Sequence, residues 1–141
     1  MKLACAALAL GLLAGSATAR PITPQIASAS VDFAQAETIE VTLSSFAFSP
    51  SEIRLHAGRP YVLKLVDPKG GHNFSAPEFF AAARIAPEDA AKIAKGRIAL
   101  HGGDSATIHL VPGAGSFDLT CTHFGHAALG MRGKIVVEGA S

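Results

Sequence analysis

The chain has 141 residues, of which 49% are hydrophobic and 16% are charged. This length predicts a single domain, and the composition excludes disorder over most of the chain. Twelve Lys and Arg residues oppose eleven Asp and Glu residues, so the formal net charge is +1. This nearly neutral balance argues against nucleic acid or an anionic membrane surface as the partner.

The N-terminal residues have the pattern of a secretory signal peptide. An uncharged apolar run of 12 residues, 3–14, follows Lys2, and the small residues Ala17-Thr18-Ala19 form a cleavage pattern after it. A run of this length is too short to span a bilayer. We therefore expect residues 1–19 to be removed on export, and the mature protein to act in the periplasm without inserting into the membrane.

The next part of the chain contains a predicted arm and the first strands of the domain. Residues 20–36 contain two prolines and no clear periodicity, which predicts a flexible N-terminal arm before a domain at 37–141. Apolar and polar residues then alternate with period two, which predicts half-buried strands. These strands are predicted at 37–48, Ile53–His56 and Tyr61–Val66.

The middle of the chain differs from its two ends. Pro77–Gly96 is rich in alanine and fits two helical segments, Glu78–Arg84 and Pro87–Lys95. Strands then resume with Gly and Pro turns between them, and they are predicted at Arg97–Leu100, Thr107–Val111, Ser116–Cys121 and Lys134–Glu138. Short strands separated by turns predict an all-β, antiparallel β-sandwich with a short helical insertion.

A single cysteine remains after export, because Cys5 lies within the expected signal peptide. Cys121 cannot then form an internal disulfide, so it is a link between chains, an inert buried thiol or a metal ligand. Alternation along Ser116–Cys121 places its side chain inward, at the end of a core strand and just before a loop.

The loop after Cys121 contains soft and borderline metal donors. His126 and Met131 each follow after four intervening residues, and His72 lies just after a Gly-Gly turn at another strand end. If these ends meet, two imidazoles, one thiolate and a distant thioether form the arrangement of a blue copper site. One thiolate argues against structural zinc, and the lack of carboxylates argues against calcium or magnesium. The alternatives are that Met131 packs as a core residue and that His123 replaces His126.

Three strings in the sequence carry a resemblance to a known family. CTHFGHAALGM at 121–131, GGHNF at 70–74 and FAFSPSEIRLHAG at 46–58 resemble the cupredoxins, the type 1 blue copper proteins that include azurin, plastocyanin and bacterial cupredoxin-like copper-binding proteins. The resemblance covers residues 37–138 and implies a Greek-key β-sandwich holding one copper ion that cycles between Cu(I) and Cu(II). The implied metal ligands are His72, Cys121, His126 and an axial Met131.

The resemblance also assigns residues around the ligands. Asn73 and Thr122 occupy positions whose hydrogen bonds tie the two ligand loops together in the family. The chain departs from the family pattern at His123-Phe124, where a hydrophobic residue and a proline are usual, and in its helical insertion. The remaining histidines have no partner at ligand spacing and are predicted to lie on strands or at the surface; they are His56, His101 and His109.

This interpretation predicts an exported electron carrier and not an enzyme, acting as a monomer. The neutral charge predicts transient docking of redox partner proteins on an apolar surface around His126, formed by Phe124, Ala127, Ala128 and Leu129. The alternative is a periplasmic copper-binding or copper-delivery protein for copper homeostasis or oxidase assembly. Delivery proteins tend to expose clusters of Met and His, whereas this chain has two methionines in all, which favours the electron carrier.

Overall fold

The computed structural model of the protein describes residues 23–139. The predicted signal peptide, residues 1–19, lies outside the described residues, as does the beginning of the predicted arm at 20–36. Between residues 23 and 139, none of the helices has the length and apolar character that a membrane span requires.

The described chain is built from short strands and two short helices. The strands are β1 (Gln25–Ile26), β2 (Glu37–Ser44), β3 (Ala47–Ser49), β4 (Glu52–His56), β5 (Tyr61–Val66), β6 (Gly71–Ser75), β7 (Arg84–Ile85), β8 (Arg97–His101), β9 (Ser105–Val111), β10 (Gly115–Thr120) and β11 (Arg132–Glu138). The helices are α1 (Pro77–Ala82) and a 3-10 helix (Pro87–Lys92). One sheet has the order β1-β7-β9-β5-β2-β3 and the other β4-β11-β10-β6-β8. The predicted all-β sandwich with a helical insertion is confirmed.

Both sheets contain antiparallel and parallel neighbours. The pairs β5/β9, β10/β11 and β6/β8 are antiparallel, as the sequence predicts. The pairs β2/β5 and β4/β11 are parallel. The β2/β5 pair is parallel because the chain leaves its sheet after β3, forms β4 in the other sheet, and returns as β5 beside β2 in the same direction. Side-chain alternation does not report this direction, because it is the same in parallel and antiparallel strands.

The core lies between the sheets and follows the alternation of the strands. In β4, Ile53 and Leu55 are buried while their neighbours are exposed, and in β5 the buried residues are Tyr61, Leu63 and Leu65. Burying a side chain of this size stabilises the fold by about 1.5–3 kcal/mol before entropy costs. The site residues Cys121 and Met131 belong to the same buried cluster.

The helical insertion closes one side of this core and is shorter than predicted. α1 begins at Pro77, which suits a first helical position, and it buries Phe79 and Phe80. The second predicted helix, Pro87–Lys95, is a 3-10 helix that ends at Lys92. The tight 3-10 conformation has a local cause in a residue near the middle of this helix.

That residue is Asp89, whose buried carboxylate binds both its own helix and strand β9. Its Oδ2 accepts a hydrogen bond from the backbone N–H of His109 at 2.7 Å and lies 2.8 Å from His109 Nδ1, and Lys92 pairs with its Oδ1. Burial by itself raises the pKa of Asp89, but the hydrogen bonds from Lys92 and His109 outweigh it and lower that pKa below its ordinary value of 3.8. These contacts hold the segment against β9 and favour the tight turn.

Three strands were not predicted from the sequence: β1, β7 and β6. Within the predicted arm, β1 pairs in parallel with β7, whose first residue, Arg84, was predicted as the end of a helix, and two residues are too few to show a period. The third is β6, which begins inside the predicted turn at Gly71 and pairs with β8 along its whole length. β6 matters for function because it contains His72.

Candidate metal centre

Three side chains from distant parts of the sequence meet at one end of the sandwich. Ligand atoms of His72, Cys121 and His126 all lie within 4.8 Å of one another. Cys121 Sγ lies 3.6 Å from His126 Nδ1, and the rings of His72 and His126 are 5.1 Å apart. His72 and Cys121 are buried, and His126 is partly exposed. The cluster therefore reaches solvent on the side of His126.

The sheet brings His72 and Cys121 together. β10 and β6 are antiparallel neighbours, with Thr120 opposite Ser75. The chain therefore continues past Thr120 in the direction that leads back along β6 toward His72. Cys121 is the first residue beyond β10, so it is held by a strand on one side and by the ligand loop on the other.

The loop after Cys121 folds back on itself and returns at Met131. The N–H of Cys121 donates to the carbonyl of Met131 at 3.2 Å, and the N–H of Met131 donates to the carbonyl of His126 at 2.9 Å. The loop turns at Gly125, whose φ of +81° favours glycine. Met131 is fully buried, and its backbone hydrogen bond to Cys121 places it next to the cluster.

Hydrogen bonds between Asn73 and Thr122 join the strand of His72 to the loop of Cys121, as the family resemblance implies. The N–H of Thr122 donates to Asn73 Oδ1 at 3.0 Å, and Asn73 Nδ2 donates to Thr122 Oγ1 at 3.0 Å. The guanidinium of Arg97 also donates to Thr122 Oγ1, at 2.9 Å. Sequence reasoning missed Arg97, because nothing local connects the start of β8 to the ligand loop.

The electrostatic state of His72 suits a metal ligand. Both of its ring nitrogens are buried and have no hydrogen-bond partner. Burial lowers the pKa of His72, the nearby Asp67 opposes this, and His126 and His123 lower it further. The imidazole is therefore neutral at neutral pH, with a lone pair available for a cation. One buried cysteine sulfur, two imidazoles and the thioether of the buried Met131 at the end of the same loop fit copper better than a hard cation.

The remaining histidines lie outside the cluster. His123 is exposed, with its ring 5.5 Å from that of His126. The predicted surface histidines contact carboxylates elsewhere: His56 with Glu138, His101 with Asp104 and His109 with Asp89. The structure thus groups His126, and not His123, with His72 and Cys121.

Exposed apolar side chains lie on the loop that contains His126 and on the turn that contains Phe46. Phe124 is fully exposed and Leu129 largely so. Phe46, in the turn between β2 and β3, has its ring centroid 5.2 Å from that of His126, and the two rings lie edge to face. We call this surface the apolar patch; it consists of Phe46, Phe124, Ala127, Ala128 and Leu129. Sequence analysis placed Phe46 on a strand, because it continues the alternation of β2.

Comparisons with known proteins give one family match and several similar structures. The family model described as copper binding proteins, plastocyanin/azurin family, matches residues 35–138. The structure is similar to auracyanin B, with 21% identity, a TM-score of 0.52, and coverage of 76% of this chain and 92% of that chain. It is also similar to dithionite-reduced auracyanin from the photosynthetic bacterium Roseiflexus castenholzii, with 22% identity, a TM-score of 0.53, and coverage of 72% and 97%.

A third similar structure is auracyanin A, titled a "blue" copper protein, from Chloroflexus aurantiacus. It has 23% identity and a TM-score of 0.50, and the alignment covers 72% of this chain and 98% of that chain. No curated protein sequence matches the chain. At these identities the structural neighbours establish the cupredoxin fold.

Proposed function

Because the chain belongs to the plastocyanin/azurin family of copper-binding proteins, we propose that it is a one-electron carrier with a type 1 copper centre. The proposed ligands are His72, Cys121, His126 and Met131. The observation that carries the proposal is the grouping of one buried thiol, one buried imidazole and one partly exposed imidazole, whose ligand atoms lie within 4.8 Å of one another. Copper bound there supplies a one-electron couple, because thiolate and thioether suit Cu(I) and imidazoles suit Cu(II).

The protein's part in electron transfer is to keep the ligands in place. Cys121 and Met131 are joined by a backbone hydrogen bond, and the Asn73–Thr122 pair ties their loop to β6. Buried groups tied in this way move little, so the same ligand positions can serve both oxidation states. Because the ligands are held rigidly, electron transfer requires little structural rearrangement.

The exposure of the ligands favours a carrier over an enzyme. His72 and Cys121 are buried, and His126 alone of the three reaches the surface, within the apolar patch. An electron can pass through the edge of an imidazole, whereas a substrate would need an open coordination position. We propose that redox partners dock transiently on the apolar patch and that the monomer is exported to the periplasm.

Copper delivery is the second candidate, and one feature favours it. The exposed imidazole of His123 lies beside that of His126 and could receive a metal ion from the site. The burial of His72 and Cys121 favours retention of copper and therefore the carrier.

Loading the protein with Cu(II) tests the site and separates the two candidates. We expect one copper per chain, an intense blue colour from thiolate-to-copper charge transfer, and reversible reduction with the metal retained. Cys121→Ser is the matched variant, since it replaces sulfur by oxygen in a buried position; it should fold but lose the colour. An equally blue Cys121→Ser protein would refute the site. Release of Cu(I) to a chelator faster than electron transfer would favour delivery.

A further inference from the structure

Unpartnered buried atoms mark one turn next to the metal centre. Among residues 23–139, the buried side-chain nitrogens and oxygens that lack a hydrogen-bond partner are Asp67 Oδ1, His72 Nδ1 and His72 Nε2. A metal bound at one ring nitrogen of His72 accounts for only one of these atoms. The other ring nitrogen then carries a proton that needs an acceptor, and leaving such a group unpaired costs about 1–3 kcal/mol.

Asp67 Oδ1 is the acceptor among these unpartnered atoms, and its carboxylate is firmly held. Its Oδ2 accepts a hydrogen bond from the backbone N–H of His72 at 3.1 Å. Its own backbone N–H donates to the carbonyl of Asp104 at 2.9 Å, and its carbonyl accepts from Gly103 at 2.7 Å. The Asp67 side chain is completely buried. The carboxylate therefore keeps its place through contacts that do not involve the ring of His72.

The ring of His72 faces the loop that begins at Asp67. A Cβ atom added at Gly70, in the middle of this loop, would lie 3.0 Å from His72 Nε2. The loop itself is packed tightly, because a Cβ at Gly102 would lie 2.7 Å from the backbone of Gly70. Nε2 is therefore the ring nitrogen that faces the loop between Asp67 and His72.

We propose that Asp67 is a positioning residue for the metal centre: its free carboxylate oxygen accepts the outer ring N–H of His72, directly or through one buried water. This inference rests on the proposed role of His72 as a copper ligand. The carboxylate then fixes the tautomer and the orientation of the ring, as carboxylates do for metal-bound histidines in general. It also makes the imidazole a stronger electron-pair donor to the metal.

The expected consequence is a lower reduction potential. A more basic imidazole and a nearby buried negative charge both stabilise Cu(II) relative to Cu(I). Because Asp67 is buried, salt should screen this effect less than it screens the effect of a surface charge.

The test compares Asp67→Asn with Asp104→Asn in the copper-loaded protein. Both changes remove one carboxylate from the same pair of turns, but the Asp104 side chain is half exposed. Asp67→Asn should shift the ratio of Cu(I) to Cu(II) affinity about tenfold toward Cu(I), which is about 59 mV in a one-electron couple. Asp104→Asn should shift the potential much less. Unfolding of the metal-free variants checks that both fold.

A second measurement uses the wild-type protein and does not depend on a variant. In the ¹⁵N-labelled Cu(I) protein, the ring N–H of His72 should exchange with water far more slowly than that of His126. Equal exchange rates at these two histidines, or equal potentials for Asp67→Asn and Asp104→Asn, would overturn the role of Asp67. A protein that binds no copper, or that binds it unchanged after His72→Ala, would instead refute the proposed site.

Discussion

The link between Asn73 and Thr122 gives a prediction whose size follows from the structure. Asn73→Ala removes the acceptor of the Thr122 N–H at 3.0 Å and the donor to Thr122 Oγ1 at 3.0 Å. Each such bond contributes about 0.5–1.5 kcal/mol, and the partly buried N–H left without an acceptor adds about 1 kcal/mol more. We expect Asn73→Ala to lower the free energy of unfolding by about 2–4 kcal/mol.

Thr122→Val is the matched variant, because it removes the hydroxyl and keeps the backbone hydrogen bond to Asn73 Oδ1. It should cost about 1–2 kcal/mol, since Asn73 Nδ2 loses its acceptor while the exposed guanidinium of Arg97 can turn to water. The double variant should be little worse than Asn73→Ala, because the two residues share the same bonds.

Urea unfolding of the metal-free protein, followed by far-ultraviolet circular dichroism, measures these differences without a contribution from copper. The copper-loaded variants should then show an altered blue spectrum, because the strand of His72 and the loop of Cys121 are no longer joined. An Asn73→Ala protein within about 0.5 kcal/mol of wild type, the range of an ordinary surface change, would refute the reasoning. Additive effects in the double variant would show that the two side chains act independently.

Three further predictions concern the ligands and the buried carboxylate. Met131→Leu should raise the reduction potential with copper retained, and an unchanged potential and spectrum in a redox titration would place the thioether away from the metal. His126→Ala should abolish the blue colour, whereas His123→Ala should keep it. The opposite result would show that His123 is the ligand of this loop. The lowered pKa of Asp89 means that its contribution to stability is complete above pH 3.8 and is lost as the pH falls through the lower folded-state pKa. Asp89→Asn should therefore lower the free energy of unfolding at pH 7 far more than Glu88→Gln does. The difference between the two variants, measured by urea unfolding, should be smaller at pH 3, and an equal difference at both pH values would contradict this.

Much of the fold could be predicted because alternation is a local property. The buried residues of β4 and β5 occupy every second position, so their strands and inward faces follow from the sequence alone. Strands too short to show a period could not be found in this way. β1 has two residues, and β6 begins within a turn signal at Gly71.

The ligands could be proposed from the sequence because their chemistry and spacing are encoded locally in the loop from Cys121 to Met131. That His72 lies within 4.8 Å of the ligand atoms of Cys121 and His126 depends on the pairing of β6 with β10. That His126 joins this cluster and His123 does not depends on how the loop turns back at Gly125. Neither is readable from residue types.

The strand-rich architecture, the lone cysteine after the predicted signal peptide and the set of soft donors could therefore be read from the sequence, since each depends on composition or short-range periodicity. The parallel pairs, the contact of Arg97 with Thr122 and the burial of Asp67 beside His72 could be seen only in the folded structure. These features join segments far apart in the chain, and their energies come from packing and hydrogen bonding that exist only after the two sheets have closed on each other.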